Sequence, residues 1–109
     1  MLVDFSEINK VAIFNLNGGE GIVSAKMFME GKNKIMESRL PVGTSIGLHR
    51  HTESSEFNYV IKGFGKAVCD SKEEILKRGV CQYCPKGSSH SIINIGDEDL
   101  VLFTVVSEQ

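Results

Sequence analysis

Residues 43–56 read GTSIGLHRHTESSE. The stretch holds two of the chain's three histidines, His49 and His51, with Glu56 five positions after the second. If residues 45–51 are extended, positions i and i+2 project on one face, so His49 and His51 point together and Arg50 points away. Their Cβ atoms then lie roughly 6–7 Å apart, which lets both imidazoles reach one ion at bonds of about 2 Å. The polar Thr52-Glu53-Ser54-Ser55 turns the chain, and a hairpin of this length brings Glu56 back alongside the pair. Taken alone the His-x-His is weak evidence, because histidine is common in polar turns. Its meaning depends on the rest of the chain.

That chain is built from short β-type segments. Eleven glycines and two prolines punctuate 109 residues, and the glycines fall between runs rich in Val, Ile and Phe. This spacing predicts an all-β sandwich or barrel, with strands over 11–16, 22–29, 35–40, 45–51, 56–61, 65–69, 82–84, 91–94 and 100–106. Asn17-Gly18-Gly19, Gly31-Lys32-Asn33, Lys62-Gly63 and Gly96-Asp97 supply the turns. Residues 71–79, SKEEILKRG, compete with this picture: Ser71 suits an N-cap, Glu73 precedes Lys77 by four, and Gly79 suits a helix stop. A helix of about nine residues is marginal without a tertiary partner. A hairpin turning at Asp70-Ser71-Lys72, with a strand from Glu73, is the preferred reading.

The length predicts one domain over residues 1–109. Apolar residues make up 41% and charged residues 24%, with a net charge of -2. This is an ordinary soluble composition without the basic footprint of nucleic-acid binding. Asp4, Glu7 and Glu20 interrupt the start of the chain, and no basic segment leads into an apolar run, so no signal peptide is read there. The longest strongly apolar run, residues 100–106, is too short to cross a bilayer. Three cysteines, Cys69, Cys81 and Cys84, are an odd number and make no complete disulfide framework. Together these features predict a reducing cytoplasm.

From Gly79 the sequence continues GVCQYCPKGSSHSIIN, placing the third histidine, His90, just after Pro85-Lys86-Gly87. Read together, the two stretches resemble the paired motifs of the cupin superfamily. Gly43, His49, His51, Glu56 and Gly63 stand at the spacings of the first motif, and Gly79, Pro85, Gly87, His90 and Asn94 at those of the second. Residue frequencies of about 5–7% make a chance match of all ten positions negligible. Val80 departs from the pattern, where members often carry Asp.

The resemblance implies a jelly-roll barrel, or double-stranded β-helix, with His49, His51, Glu56 and His90 as ligands to one divalent ion. It also implies a homodimer, in keeping with the edges that strands 11–14 and 100–106 would otherwise leave exposed. Three imidazoles and a carboxylate suit Mn, Fe, Co, Ni, Cu or Zn. On an octahedral ion two positions stay open for a small-molecule ligand, or for substrate and dioxygen together. With every histidine spent, acid–base work falls to metal-bound water or to a group such as Tyr59 or Tyr83. The expected activity is therefore a metal-dependent oxidoreductase of dioxygenase type acting on a small oxygen-bearing molecule. A non-catalytic metal- or small-molecule-binding module is the alternative, and an isomerase or decarboxylase a further one.

Strand parity extends the reading. Asn58 and Val60 share the face of Glu56, and Ile92 and Asn94 that of His90. Gln82 faces inward and Tyr83 outward. Met27 and Met29 lie on one face and line the barrel. Asn94 is read as a turn or backbone-bonding residue. Cys81 and Cys84, three apart in an extended segment, face opposite sides about 10 Å apart and so pack rather than pair.

Overall fold

The computed structural model describes residues 1–109. Ten strands run β1 (Val11–Phe14), β2 (Ile22–Glu30), β3 (Asn33–Leu40), β4 (Ser45–Arg50) and β5 (Ser54–Lys62). They continue as β6 (Phe64–Cys69), β7 (Lys72–Lys77), β8 (Cys81–Cys84), β9 (Ser89–Asn94) and β10 (Leu100–Glu108). One sheet has the order β1-β2-β3-β10-β5-β8, the other β4-β9-β6-β7, and every pairing is antiparallel. This two-sheet jelly roll is the predicted all-β class.

Several boundaries differ from expectation for local reasons. The first strand stops at Phe14 because Asn15 and Asn17 take left-handed backbone angles, φ 50 and 53, around a 3-10 turn at Leu16–Gly18. Strand β4 ends at Arg50, and β5 begins at Ser54, two residues before Glu56, so the connection is short. Residues 71–79 form the far arm of a hairpin. Asp70 and Ser71 both have positive φ, 48 and 69, and Cys69 pairs with Lys72. A two-residue turn with both φ positive matches the right-handed twist of its strands. Strand β10 lies in the middle of its sheet between β3 and β5, so only β1 of the two strands expected at an edge is there. The register leaves no room for the alternative, since β10 pairs along its length on both sides.

Inward-facing residues form layers across the barrel. The deep layer is apolar: Leu102 and Val60 from one sheet meet Ile46, Ile92 and Ala67 from the other, with Leu40, Leu76 and Leu100 closing it. Each fully buried leucine contributes roughly 1.5–3 kcal/mol. The next row of the six-stranded sheet is Met27, Met36, Thr104, Asn58 and Gln82. The outermost is Met29, Lys34, Val106, Glu56 and Cys84, facing a row of Cys69, His90 and His49.

Two glycines permit this stacking. Gly63 has φ +96, and a Cβ there would stand 2.5 Å from the Asp99 carbonyl oxygen. At Gly47 a Cβ would collide with the carbonyl oxygen of Asn17, so the 3-10 turn can lie directly on β4. Next to Gly47 the β4–β9 ladder slips by one residue: Ile46 pairs with Ile92, but His49 with His90. This bulge lets Ile46 face the apolar layer and His49 the layer above it.

Candidate metal centre

His49 and His51 come from β4 and the residue after it, Glu56 from β5 and His90 from β9. Their ligating atoms all lie within 4.8 Å of one another, a cluster that could hold a metal ion. The three Nε2 atoms form a triangle with sides of 3.1 Å. Glu56 Oε2 lies 3.0 Å from His90 Nε2, and Oε1 lies 3.4 Å from His51 Nε2. Nitrogens at this spacing, each about 2.1–2.2 Å from a common point, subtend about 90–95° there. That angle is closer to an octahedral face than to a tetrahedron.

The outer ring nitrogens explain why the inner ones are free. His49 Nδ1–H donates to the Gly47 carbonyl at 2.8 Å, and His90 Nδ1–H to Gln82 Oε1 at 2.9 Å. Both acceptors lack a proton, so each histidine keeps its hydrogen on Nδ1 and turns an Nε2 lone pair inward. His51 Nδ1 lies 3.3 Å from Ser54 Oγ, which fits the same tautomer. Three lone pairs and a carboxylate thus converge with no donor among them, and a cation satisfies all four. The donor set fits a divalent transition metal.

Buried polar groups hold the carboxylate in place. Asn58 Nδ2–H donates to Glu56 Oε2 at 2.8 Å, while Asn58 Oδ1 accepts from Thr104 Oγ1 at 2.6 Å. Gln82 links this chain to His90 and donates through Nε2 to Glu74 Oε1 at 3.1 Å. Burial pushes the Glu56 carboxyl up, but once His90 and His51 are protonated the hydrogen bond from His90, that from Asn58 and the two positive charges outweigh it, bringing the pKa down to about 2. His51 is moved below its ordinary value, chiefly by burial, with Glu56 opposing the shift.

A cavity of about 350 Å³ opens onto the cluster, bounded by Ile13, Leu16, Met27, Met36 and Ile46, with Lys34 and Arg50 also on its wall. Ser38 Oγ, on the same wall, is the one buried side-chain polar atom without a hydrogen-bond partner.

Parity placed Asn58, Val60, Gln82, Ile92 and Asn94 in the interior, and all are buried there. Asn94 is a backbone-bonding residue, donating to the carbonyls of Leu40 and Glu98 and accepting from Gly96 N–H, each at 2.8 Å. Met27 lines the cavity, but Met29 lies past its rim and is 69% exposed. Tyr59 and Tyr83 face outward, Tyr83 stacking on Phe57 with ring centroids 4.6 Å apart, so neither serves the site. Cys81 is exposed and Cys84 buried, as their opposite parity requires. The thiol that meets Cys84 is instead Cys69, from the facing sheet. Val80 packs against the apolar core, where the family often carries Asp. Thr104, Lys34 and Ser38 escaped the sequence reading. Alternation along β3 and β10 carried the signal for all three, but only the register places them beside the histidines.

A family model described as Cupin domain matches residues 36–106. An oxalate-binding protein of Thermotoga maritima is 35% identical over 112 residues, spanning 97% of this chain and 93% of that protein. The crystal structure of a predicted oxalate decarboxylase from Thermotoga maritima superposes with a TM-score of 0.94 at 32% identity, each chain covered over 100% of its length. A cupin-2 domain from Rhodospirillum rubrum, 16% identical, shares the fold at a TM-score of 0.81 over 100% of this chain and 75% of its own. With both motifs present, the two-sheet barrel around the histidines and a family match across most of its length, the chain belongs to the cupin family.

Proposed function

We propose that His49, His51, Glu56 and His90 hold one divalent transition-metal ion, and that the site binds a small oxygen chelate of the oxalate class beside it. The observation that carries this reading is the convergence of four acceptors on one point, with a cavity on the free side. The likeness to an oxalate-binding protein supports the ligand class. When bound, the ion supplies Lewis acidity and open coordination positions. The chain's own residues orient the ligands through Asn58, Gln82 and the Gly47 carbonyl.

Metal content of protein purified without added metal or chelator tests the first step, beside a His49→Ala/His90→Ala variant. The expected result is about one ion per chain in the parent and a small fraction of that in the variant. Reconstituted protein should then bind oxalate in a calorimetric titration. Equal metal content in both proteins, or none in either after loading with Mn, Fe, Co, Ni, Cu or Zn, overturns the reading.

The second reading is the oxidoreductase of dioxygenase type, favoured by the nearly right-angled nitrogens, which leave adjacent positions for a substrate and dioxygen. Oxygen uptake by the Fe(II)-loaded protein with catechols, thiols or diketones tests it, and no uptake with any of them rejects it. The decarboxylase or isomerase reading leaves acid–base work to metal-bound water, because both tyrosines considered for it face away.

The same proposal takes the chain as one cytoplasmic domain that pairs with a second copy. An outer row of Phe28, Ile35, Val105, Phe57 and Tyr83 crosses five strands and supports the pairing. No helix is long and apolar enough to cross a membrane. Gel filtration giving only monomer at micromolar concentration contradicts the dimer.

A further inference from the structure

Lys34 occupies an unusual position for a lysine. It lies on β3 in register with Val106 of β10, which pairs in turn with Glu56 of β5. Alternation along β3 puts Lys34 on the same face as Met36 and Ser38, and all three line the cavity. Two strand spacings of about 4.8 Å separate its backbone from that of Glu56, a gap that a four-carbon stem largely spans. The side chain is half-buried, and its ammonium makes no ion pair or hydrogen bond with any protein group. Arg50 also reaches the rim, but it is exposed and lies beside Asp70, an anion on its own side of the barrel.

Charge counting then narrows the ligand. Three neutral imidazoles and one carboxylate around a divalent ion leave a net charge of about +1 in the site. Lys34 adds a second positive charge that forms no ion pair with a protein carboxylate. A neutral ligand leaves both uncompensated in a partly apolar cavity, and a monoanion leaves one, whereas a dianion matches the site.

We infer that Lys34 is a specificity-determining residue that pairs with the carboxylate edge of a ligand chelated at the metal centre, selecting small dicarboxylates over neutral or monoanionic chelators. The inference rests on the metal-binding reading above and adds the charge of the ligand and the residue that reads it. Through Lys34 the cavity adds to the discrimination between ligands that form the same chelate ring but differ in charge. The apolar residues beside it, Met27, Met36 and Ile46, give a longer or neutral polar ligand no compensating hydrogen bonds.

The test uses metal-loaded full chain, with oxalate as the dianionic probe and glycolate as the monoanionic one, bound to parent, Lys34→Gln and Lys34→Arg. Metal content and melting temperature are measured on each sample before titration. Lys34→Gln should keep its metal and lose oxalate affinity by roughly tenfold or more, the scale of a charge-assisted contact, with glycolate changing by less than about threefold. Lys34→Arg, which keeps the charge, should stay within about threefold of the parent for oxalate. Full metal content with equal oxalate affinity in parent and Lys34→Gln overturns the assignment of Lys34 and leaves the metal site standing. Full metal content with glycolate bound as tightly as oxalate does the same. A parent chain that takes up no metal overturns the underlying reading, and Lys34 with it. If Lys34→Gln folds poorly, Lys34→Met serves as the neutral variant, and a parent-like oxalate affinity there also overturns the assignment.

Discussion

Replacing Asn58 with alanine removes the group on which the Glu56 carboxylate leans. Asn58 is fully buried, donates to Glu56 Oε2 at 2.8 Å and accepts from Thr104 Oγ1 at 2.6 Å. A hydrogen bond to a buried charge is worth about 1.5–3 kcal/mol and the neutral one about 0.5–1.5, so losing both destabilises the metal-free protein by roughly 3 kcal/mol. For a chain of this size that lowers the melting temperature by about 12–15 °C. Glu56 is then held by fewer donors, its carboxyl rises from about 2 towards the ordinary range, and metal affinity falls by roughly 10–100-fold. Urea denaturation of metal-free protein at pH 7.5 and metal competition against a chelating dye read the two effects separately. Asn58→Asp sharpens the test because it keeps the shape and sets a second carboxylate beside Glu56. It should be less stable than Asn58→Ala at pH 7.5 when metal-free, and recover as the pH is lowered and one carboxyl takes a proton. If Asn58→Ala stays within about 1 kcal/mol of the parent and binds metal equally well, the side-chain chain from Thr104 to Glu56 does not orient the site.

Other consequences can be measured on the same protein. Acid should unfold the metal-free chain in two stages, followed by circular dichroism. His51 takes a proton more readily unfolded than folded, so stability falls as the pH drops below about 6.5; Glu56 then costs about 3 kcal/mol more between roughly pH 4.5 and 2. A melting temperature that is flat from pH 7 to 3 contradicts both shifts. Gly47→Ala should destabilise by about 1–3 kcal/mol and weaken metal binding, because the new Cβ drives Asn17 off β4 and moves the carbonyl that orients His49; parent-like stability would show that the contact is loose. Cysteine reactivity should divide by burial. Cys81 should react with a thiol reagent in the folded state, and Cys84, whose thiol is pushed up to about 12 chiefly by burial, only on unfolding. Rapid modification of all three thiols in folded protein would contradict the placement of Cys84.

The fold class and the four clustered residues were legible because both depend on short-range spacing. His49 and His51 share a face through the period of a strand, and Gln82 and Asn58 follow from the same parity. What stayed hidden depends on pairing between distant segments. The central place of β10, and with it Thr104 beneath Asn58, comes from its register with both β3 and β5. Met29 obeys parity but lies one pair beyond Met27, where the barrel wall has already opened. The contact of Cys69 with Cys84 joins facing sheets, and no spacing along one strand reveals it. Tyr59 and Tyr83 were candidates by chemistry alone, and alternation from Glu56 and Gln82 already turned them outward.

The slip between β4 and β9 also bears on how this chain tolerates changes in length. Ile46 and His49 both face inward although three positions separate them, an odd step that a regular strand forbids. The extra residue works as a phase adjuster between an interior that excludes water and a ligand cluster that needs polar partners. Deleting Leu48, itself an exposed residue of β4, would leave the composition of the core and of the cluster untouched. With Ile46 anchored, the shortened strand returns to strict alternation: Gly47 and Arg50 face out, while His49 and His51 keep the inward side. The ladder then closes at Ile46–Ile92 and His49–His90 without the slip, and capacity for metal should survive the deletion. This strand is therefore constrained by the side on which His49 and His51 emerge, and the bulge makes position 48 its most dispensable residue.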